Sequence, residues 1–250
     1  MPAGVEAVVL YLAGLSERGL KPASISRRVA AIKYAHRQAG IQSPTDLEPV
    51  RATLSGIKRI KGTAPRQVAP ATVDVIERML SVCGSDIRGC RDRALIALGF
   101  GAALRRSELA GIELKDLRFT DRGVVVTLPR SKTDQEGRGQ EVAVLEGDRL
   151  QVKRLLTEWI ETSGLSGGAV FDLSDRQIAN IIKTRARQAG LDPTQFSGHS
   201  LRSGFITSAA NAGADIFRVM DVSRHRSINT VRGYVRRAQQ FDGHAGEGFM

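Results

Sequence analysis

Ser-Gly-His-Ser-Leu-Arg, at Ser197–Arg202, is the first of three short segments that decide the fold and chemistry of this chain. The other two are Ser-Arg-His-Arg-Ser at Ser223–Ser227 and Arg-Gly-Tyr-Val at Arg232–Val235. Together the three segments hold two of the chain's four histidines and one of its three tyrosines, each close to an arginine. Apolar residues recur at helical spacing here, which predicts helices around the first segment and from about 227 to 240. The reactive groups therefore lie on helices or on the turn between them.

The last predicted helix places its tyrosine at the edge of an apolar stripe. Ile228, Val231 and Val235 share one face, and at about 100° per residue Tyr234 falls beside that face. A tyrosine in this position can be half-buried while its hydroxyl faces a cleft. Taken alone, it is more typical of an ordinary residue that covers the core.

His199 and Arg202 are three residues apart, which places both side chains on the same face of a helix. Two hydrogen-bond donors can then converge on one oxyanion, and small Gly198 and Ser200 favour the close approach of a ligand. The motif alone is also compatible with a solvated basic surface. His225, in the turn before the last helix, is by itself more typical of a helix cap or a core histidine.

Two cations upstream extend this set. Arg105 follows a stretch that is apolar nearly all round, so it needs a partner there, and Glu108 three residues later can supply one. Lys132 lies in a polar, Gly-rich segment between the β-branched runs 124–128 and 141–145, which together predict a hairpin. Its ammonium can reach a neighbouring groove, although exposed hairpin lysines are common.

The whole chain has 250 residues and a formal charge of +11, with 37 Lys and Arg against 26 acids. Such an excess indicates a polyanionic partner, and nucleic acid is the leading candidate. Cys83 and Cys90 are predicted to be reduced thiols, and no zinc pattern or other metal site is evident. Without a signal peptide or a long apolar segment, we expect a cytoplasmic, nucleoid-associated protein with no membrane contact.

Residues 1–62 are predicted to form a helical unit, with helices over 4–15, from Pro22 with Ser24 as N-cap, and from 43 onward. Residues 58–66 combine charged residues with Gly and Pro and have no apolar stripe, which indicates a linker. We therefore place the domain boundary there and expect residues 63–250 to form a second domain. We expect a mainly α-helical chain with a small antiparallel hairpin or sheet, an α+β fold. The basic residues of the first unit are Arg27, Arg28, Lys33, Lys58, Arg59 and Lys61.

In order, the candidates are Arg105, Lys132, His199-x-x-Arg202, His225 and Tyr234. This order resembles the tyrosine recombinase (phage integrase) family, whose signature is Arg, Lys, HxxR, His or Trp, then Tyr. The nine-residue step from the second histidine to the tyrosine also agrees. The resemblance covers residues from about 70 to 237 by motif and 1–60 more loosely, as a helical core-binding domain beside a mixed α/β catalytic domain.

The resemblance implies a site-specific DNA recombinase that cuts and rejoins duplex DNA through a 3′-phosphotyrosyl intermediate, without metal, ATP or other cofactor. It implies that Tyr234 is the nucleophile, Arg105 and Arg202 hold the phosphate, and His199 takes the phenol proton. His225 would bind a nonbridging oxygen, and Lys132 would protonate the leaving group. The basic residues of the first unit would contact phosphates. The implied assembly is a homo-tetramer of paired dimers on a specific DNA site, passing through a Holliday junction, with accessory proteins in some members.

The sequence departs from the family at three places. Ser223-Arg224 stands where Leu-Gly usually precedes the second histidine, and the first unit shows three helices where four or more are usual. Arg106 stands where an apolar residue is common, which leaves open which of the two adjacent arginines faces the phosphate. Two other functions stay open: DNA relaxation of the type IB topoisomerase kind, and DNA binding without catalysis.

Overall fold

A computed structural model describes residues 3–63, 68–128 and 139–238 of the chain. The chain divides into two compact units, Met1–Arg66 and Gln67–Met250, and each is described by itself. Both are mainly helical, and the second also contains a small antiparallel sheet, so the predicted α+β fold class is confirmed. The assignment of residues 1–62 and 63–250 to two functional domains stays a prediction.

The first unit consists of helices α1 (Val5–Glu17), α2 (Pro22–Gln38) and α3 (Glu48–Lys61), with a 3₁₀ turn at Pro44–Asp46 before the third. Pro22 is the first residue of α2, so the prediction that Ser24 caps this helix was wrong. Proline is favoured at the first helical position because its ring presets φ and the missing N–H has no intrahelical partner there. The buried core of this unit is Val8, Leu12, Leu15, Ile25, Val50 and Ile57.

The second unit is built around one buried helix. Its helices are α4 (Val73–Ser81), α5 (Ile87–Gly101), α6 (Arg106–Ala110), α7 (Val152–Ser163), α8 (Asp175–Gln188), α9 (Gly198–Asn211), α10 (Ile216–Ser223) and α11 (Ile228–Ala238). Helix α5 is buried on nearly every face and packs against α4, α7 and α9, as its continuous apolar sequence predicted. Trp159 anchors α7, donating its indole N–H to the carbonyl of Val170 at 2.7 Å.

The sheet has three antiparallel strands in the order β1 (Leu117–Thr120), β2 (Gly123–Leu128) and β3 (Gln140–Leu145). Strands β2 and β3 match the predicted hairpin, with Val124 opposite Val144 and Val126 opposite Val142. Strand β1 was not predicted, because four residues that are half polar show too little alternation to indicate a strand. The predicted hairpin loop, including Lys132, lies outside the described residues.

Helix α9 carries the first histidine motif and is held tightly against the segment that precedes α4. The N–H of Ala71 donates to the carbonyl of Ser200 at 2.9 Å, and that of Val73 donates to Ser208 Oγ at 2.9 Å. A Cβ added at Gly204 would lie 1.8 Å from the Ala71 carbonyl oxygen, so only glycine permits this approach. Residues 199–202, one turn earlier, therefore project from a fixed position.

A small apolar cluster joins α9 to the last two helices. Ile206 of α9, Val219 of α10 and Val231 of α11 are its buried members, and Tyr234 packs against it with part of its ring. The predicted position of this tyrosine at the edge of an apolar stripe is thus confirmed. Ile228, predicted to lie on the buried stripe, is 39% exposed. Within the part of the chain that the structure describes, no helix combines the length and apolar character needed to cross a bilayer.

Candidate active site

The hydroxyl of Tyr234 lies beside the imidazole of His199. Nε2 of His199 and Oη of Tyr234 are 3.2 Å apart, although α9 and α11 separate them by 35 positions in the chain. Ser197 caps α9, and its Oγ accepts from the His199 N–H at 3.2 Å, which holds the histidine in the first helical turn. An imidazole within hydrogen-bond reach of a phenol can accept the proton that the phenol loses on becoming a nucleophile.

Burial and neighbouring charge keep His199 in the form that accepts a proton. Desolvation of the ring, followed by the positive charges of Arg202 and Arg105, lowers the pKa of His199 below its usual value. The residue as a whole still reaches solvent. Because the neutral imidazole is then the main form at pH 7, Nε2 is available as an acceptor for the Tyr234 proton.

Arg202 is the largest fully buried side chain of the described chain, with only 1% of its surface exposed. Its Nη1 donates to the carbonyl oxygen of Ala103 at 2.8 Å, and its Nη2 lies 3.4 Å from Nδ1 of His225. Burial, and then the charges of Arg105 and Arg224, lower the pKa of Arg202 to about 10. The guanidinium therefore remains charged at neutral pH, at the base of the site.

Nδ1 of His225 lies between two polar groups. Arg202 Nη2 is 3.4 Å from this nitrogen and can only donate, whereas Ser223 Oγ is 2.9 Å from it and can donate or accept. A neutral ring that accepts from Arg202 at Nδ1 carries its proton on Nε2. The ring lies with its centroid 6.4 Å from that of Tyr234. His225 thus lies in the same cluster as Tyr234.

Arg105 and Glu108 form a buttressed pair at the start of α6. Glu108 Oε1 accepts from Arg105 Nη1 at 2.5 Å and Oε2 accepts from the Arg105 backbone N–H at 2.7 Å. Burial acts to raise the pKa of Glu108, but Arg224 and Arg105 outweigh it, so the pKa is lowered and the carboxylate stays ionised. The Arg105 side chain keeps 35% exposure, which leaves donors available for an anion.

The two adjacent arginines point in different directions. Arg106 Nε donates to Asp175 Oδ2 of α8 at 3.2 Å, whereas the charge of Arg105 acts on His199, Arg202 and His225. Of the two, Arg105 is therefore the one whose charge acts on the two histidines and on Arg202.

The small residues beside His199 serve packing. A Cβ on Gly198 would lie 2.7 Å from Cδ of Arg106, so glycine lets that arginine pass over the end of α9. Ser200 is fully buried, and its Oγ accepts from the Ser197 N–H at 3.0 Å. The expectation that these two residues favour approach of a ligand stays a prediction.

Two residues with no predicted role lie inside the site. Ser223 is fully buried against His225, and the Arg224 side chain, 5% exposed, bonds to Glu108 Oε2 at 2.8 Å. In the sequence they stand out only as a departure from the family pattern. The feature of the sequence that could have pointed to Arg224 is its position at the C-terminal end of a short helix, where glycine is the usual residue.

The structure thus brings together Arg105, His199, Arg202, His225 and Tyr234, and Lys132 lies outside the described residues. In the first unit, Arg27, Arg28, Lys58 and Arg59 are exposed. Lys33 pairs with Asp46 at 2.6 Å, and Lys61 donates to the carbonyl of Ser16 at 2.5 Å. Within the described ranges, no group of three or more His, Cys, Asp or Glu side chains is arranged to hold a metal ion.

We expect the free energy of unfolding to fall as the pH is lowered from about 6.5 to about 4, in part because of His225. Burial, then Arg202 and Arg105, lower the pKa of His225 to about 4. Between its folded and unfolded pKa values the unfolded chain binds a proton that the folded chain does not. Urea denaturation at pH 5 and pH 7.5 measures this, and the His225→Gln variant should show a smaller difference between the two. An equal difference in both proteins would contradict the assignment.

Known proteins resemble this chain over the part that contains these residues. A family model described as the Phage integrase family matches residues 71–240. The integrase/recombinase xerD homolog of Selenomonas ruminantium is 36% identical over 263 aligned positions, covering 98% of this chain and 77% of the relative. The recombinase cre of Escherichia phage P1 is 26% identical, covering 94% of this chain and 76% of that protein.

Solved structures share the fold. The XerH site-specific recombinase bound to a palindromic difH substrate, in a post-cleavage complex, superimposes with a TM-score of 0.72 at 18% identity, over 95% of this chain and 70% of that one. A lambda integrase dimer bound to a COC′ core site gives a TM-score of 0.66 at 19% identity, over 93% of this chain and 64% of that one. At these identities the likeness establishes the fold.

Proposed function

The chain belongs to the phage integrase family and is a site-specific tyrosine recombinase, and from this premise we propose that Tyr234 is the nucleophile that attacks DNA. The observation that carries the proposal is the 3.2 Å separation of Tyr234 Oη from His199 Nε2. A phenol needs a proton acceptor at neutral pH, and His199 lies within hydrogen-bond distance to act as one. Because the named relatives are recombinases, recombination is favoured over DNA relaxation or a non-catalytic role.

In the proposed step, Tyr234 Oη forms a bond to phosphorus and the bond from phosphorus to the 5′ oxygen breaks. The phenol proton passes to His199, and the leaving oxygen takes a proton to become a free 5′ hydroxyl. Lys132, which lies outside the described residues, is proposed as the donor of that proton. The product is a 3′-phosphotyrosyl bond, which conserves the energy of the phosphodiester. A 5′ hydroxyl of another strand reverses the step and rejoins DNA.

The cations of the site stabilise the charge that develops on the nonbridging oxygens. Arg105 forms an ion pair with Glu108, and its side chain remains partly exposed to solvent. Arg202 supplies a buried positive charge beneath the site. His225 is proposed to donate one further hydrogen bond, from Nε2. Guanidinium groups remain charged at any working pH, so this clamp supplies the electrostatic stabilisation that divalent ions supply elsewhere.

The first unit is proposed to contact the DNA backbone as a core-binding domain. Exposed Arg27, Arg28, Lys58 and Arg59 suit phosphate contacts, because charged groups that face solvent can replace the counterions of DNA. Lys33 and Lys61 are also proposed as contacts and would exchange their present partners for phosphates. Assembly of paired dimers into a tetramer on two DNA sites, through a Holliday junction and with accessory proteins in some contexts, completes the proposal.

Strand exchange between two labelled duplexes tests this function. Each duplex carries DNA that flanks the gene, and the reaction contains EDTA and no ATP. We expect recombinant products of predictable length, because the phosphotyrosyl bond stores the energy needed for rejoining. Relaxation of a supercoiled plasmid with no exchanged product would instead favour the topoisomerase kind of activity. Products that require added Mg²⁺ would contradict the proposed mechanism.

A further inference from the structure

We propose that Arg224 is a positioning residue that holds Arg105, Arg202 and His225 in one arrangement without touching DNA. The inference rests on the function proposed above. The Arg224 side chain is only 5% exposed, so it lies beneath the surface that a phosphate would reach. Its importance therefore comes from the groups that it connects.

The backbone of Arg224 indicates that the side chain is needed here. The residue ends α10 in the left-handed conformation, with φ 56° and ψ 39°, and it is one of three non-glycine residues with positive φ in the described chain. Glycine is the usual residue at such a helix end, because a Cβ is crowded by the backbone there. An arginine in this position carries a conformational cost that glycine avoids, and its contacts must offset that cost.

Those contacts tie the end of α10 to the end of α5. Nη1 of Arg224 donates to the carbonyl oxygens of Ala102 at 3.0 Å and Val222 at 2.8 Å. Nη2 donates to the carbonyl oxygen of Ala103 at 3.2 Å. One planar guanidinium thus joins two chain segments more than a hundred residues apart. The next residue is His225, so the same contacts also fix the position of the His225 backbone, from which its imidazole ring extends.

Arg224 is linked to Arg105 through a shared carboxylate. Glu108 Oε2 accepts from Arg224 Nη2 at 2.8 Å and from the Arg105 backbone N–H at 2.7 Å, while Oε1 accepts from Arg105 Nη1 at 2.5 Å. The Glu108 side chain is only 7% exposed, so its negative charge is removed from water and must be balanced by the positive charges of Arg105 and Arg224. Without Arg224, the buried carboxylate would draw more strongly on Arg105 and pull its guanidinium away from an incoming phosphate.

Arg224 is linked to Arg202 through a shared carbonyl. The oxygen of Ala103 accepts from Arg202 Nη1 at 2.8 Å and from Arg224 Nη2 at 3.2 Å. Ala103 is itself in the left-handed region, with φ 46°, so its carbonyl is directed by an unusual backbone turn. Two arginines that share one acceptor define each other's position. Arg202 in turn reaches Nδ1 of His225, which closes the connection.

The experiment compares Arg224→Gly and Arg224→Lys with the unaltered full chain. The rate of covalent adduct formation on a nicked suicide duplex is measured in single turnover, and DNA affinity is measured separately. We expect Arg224→Gly to keep DNA affinity within about twofold while the rate falls about 10²-fold, the loss expected when catalytic groups shift by roughly an ångström. Arg224→Lys should recover only part of the rate, because one ammonium cannot bridge the four acceptors.

Arg218→Ala is the matched control, since it removes an exposed arginine from the same helix. Its rate should stay close to that of the unaltered chain. A double-mutant cycle with Glu108→Gln should be strongly non-additive if Arg224 acts through that carboxylate. Additive effects, or an Arg224→Gly rate within twofold of the unaltered chain, would overturn the inference. The inference would also be overturned if the fall in the Arg224→Gly rate were fully explained by a smaller fraction of folded protein.

Failure of this inference is distinguishable from failure of the proposed function. If the unaltered chain forms no covalent adduct, the proposed function is wrong. If it forms the adduct and Arg224→Gly forms it equally fast, only the positioning role is wrong. Where Arg224→Gly does not fold, the single-turnover rate of Arg224→Lys decides: an unchanged rate counts against the role and a reduced rate supports it.

Discussion

Tyr234→Phe is expected to abolish the covalent protein–DNA adduct and to leave DNA affinity unchanged within about twofold. The substitution removes only the hydroxyl, because the ring still packs against the cluster of Ile206, Val219 and Val231. Without the oxygen, no bond to phosphorus can form, so the loss should be complete. A nicked suicide duplex with a labelled strand, resolved on a denaturing gel, reports the adduct, and a mobility-shift titration reports binding.

Tyr34→Phe is the matched control for that experiment. Tyr34 lies on α2 and is 64% exposed, so loss of its hydroxyl should leave both adduct formation and folding unchanged. Undiminished adduct from Tyr234→Phe would show that another residue is the nucleophile. Equal loss of adduct from both variants would show that the assay responds to something other than the nucleophile.

Arg105→Ala is expected to give the second largest effect, a fall of about 10³-fold in the rate of adduct formation, equivalent to about 4 kcal/mol in the activation free energy. The substitution removes a charge that acts on His199, Arg202 and His225. It also leaves the Glu108 carboxylate to Arg224 alone, so a buried anion faces the space that the phosphate would occupy. Single-turnover rates at saturating protein separate this loss from weaker binding.

Arg106→Ala is the control that the sequence itself provides. Arg106 pairs with Asp175 at 3.2 Å, and both side chains are more than 40% exposed. An exposed pair of this kind contributes little to stability, so we expect a rate within about threefold of the unaltered chain. If Arg106→Ala were the slower of the two variants, the assignment of the phosphate contact to Arg105 would be wrong.

Short-range patterns in the sequence predicted much of the fold correctly. Tyr234 lies at the edge of the apolar stripe of α11, as the helical periodicity predicted. Helix α5 is buried as its continuous apolar sequence predicted. Each of these features depends on residues close together in the chain, whose conformational preferences act locally.

Features that depend on distant partners were missed or misjudged. Strand β1 exists because β2 offers it a hydrogen-bonding edge, which four residues alone do not indicate. Gly198 is small because Arg106, over ninety positions earlier, crosses it. The sequence showed Ser223-Arg224 only as a departure from a pattern, since nothing local indicates that a cation will be buried beside Glu108.

By itself, the sequence determined the family, the order of the reactive residues and the helices that carry them, because motif spacing and helical periodicity are local properties of the chain. Only the tertiary structure decided which groups meet: the Tyr234 hydroxyl beside the His199 ring, and Arg224 between Glu108 and the Ala103 carbonyl. It also placed Nδ1 of His225 between Arg202 and Ser223. The physical reason is that hydrogen bonds and desolvation act over a few ångströms in space, whatever the separation in sequence.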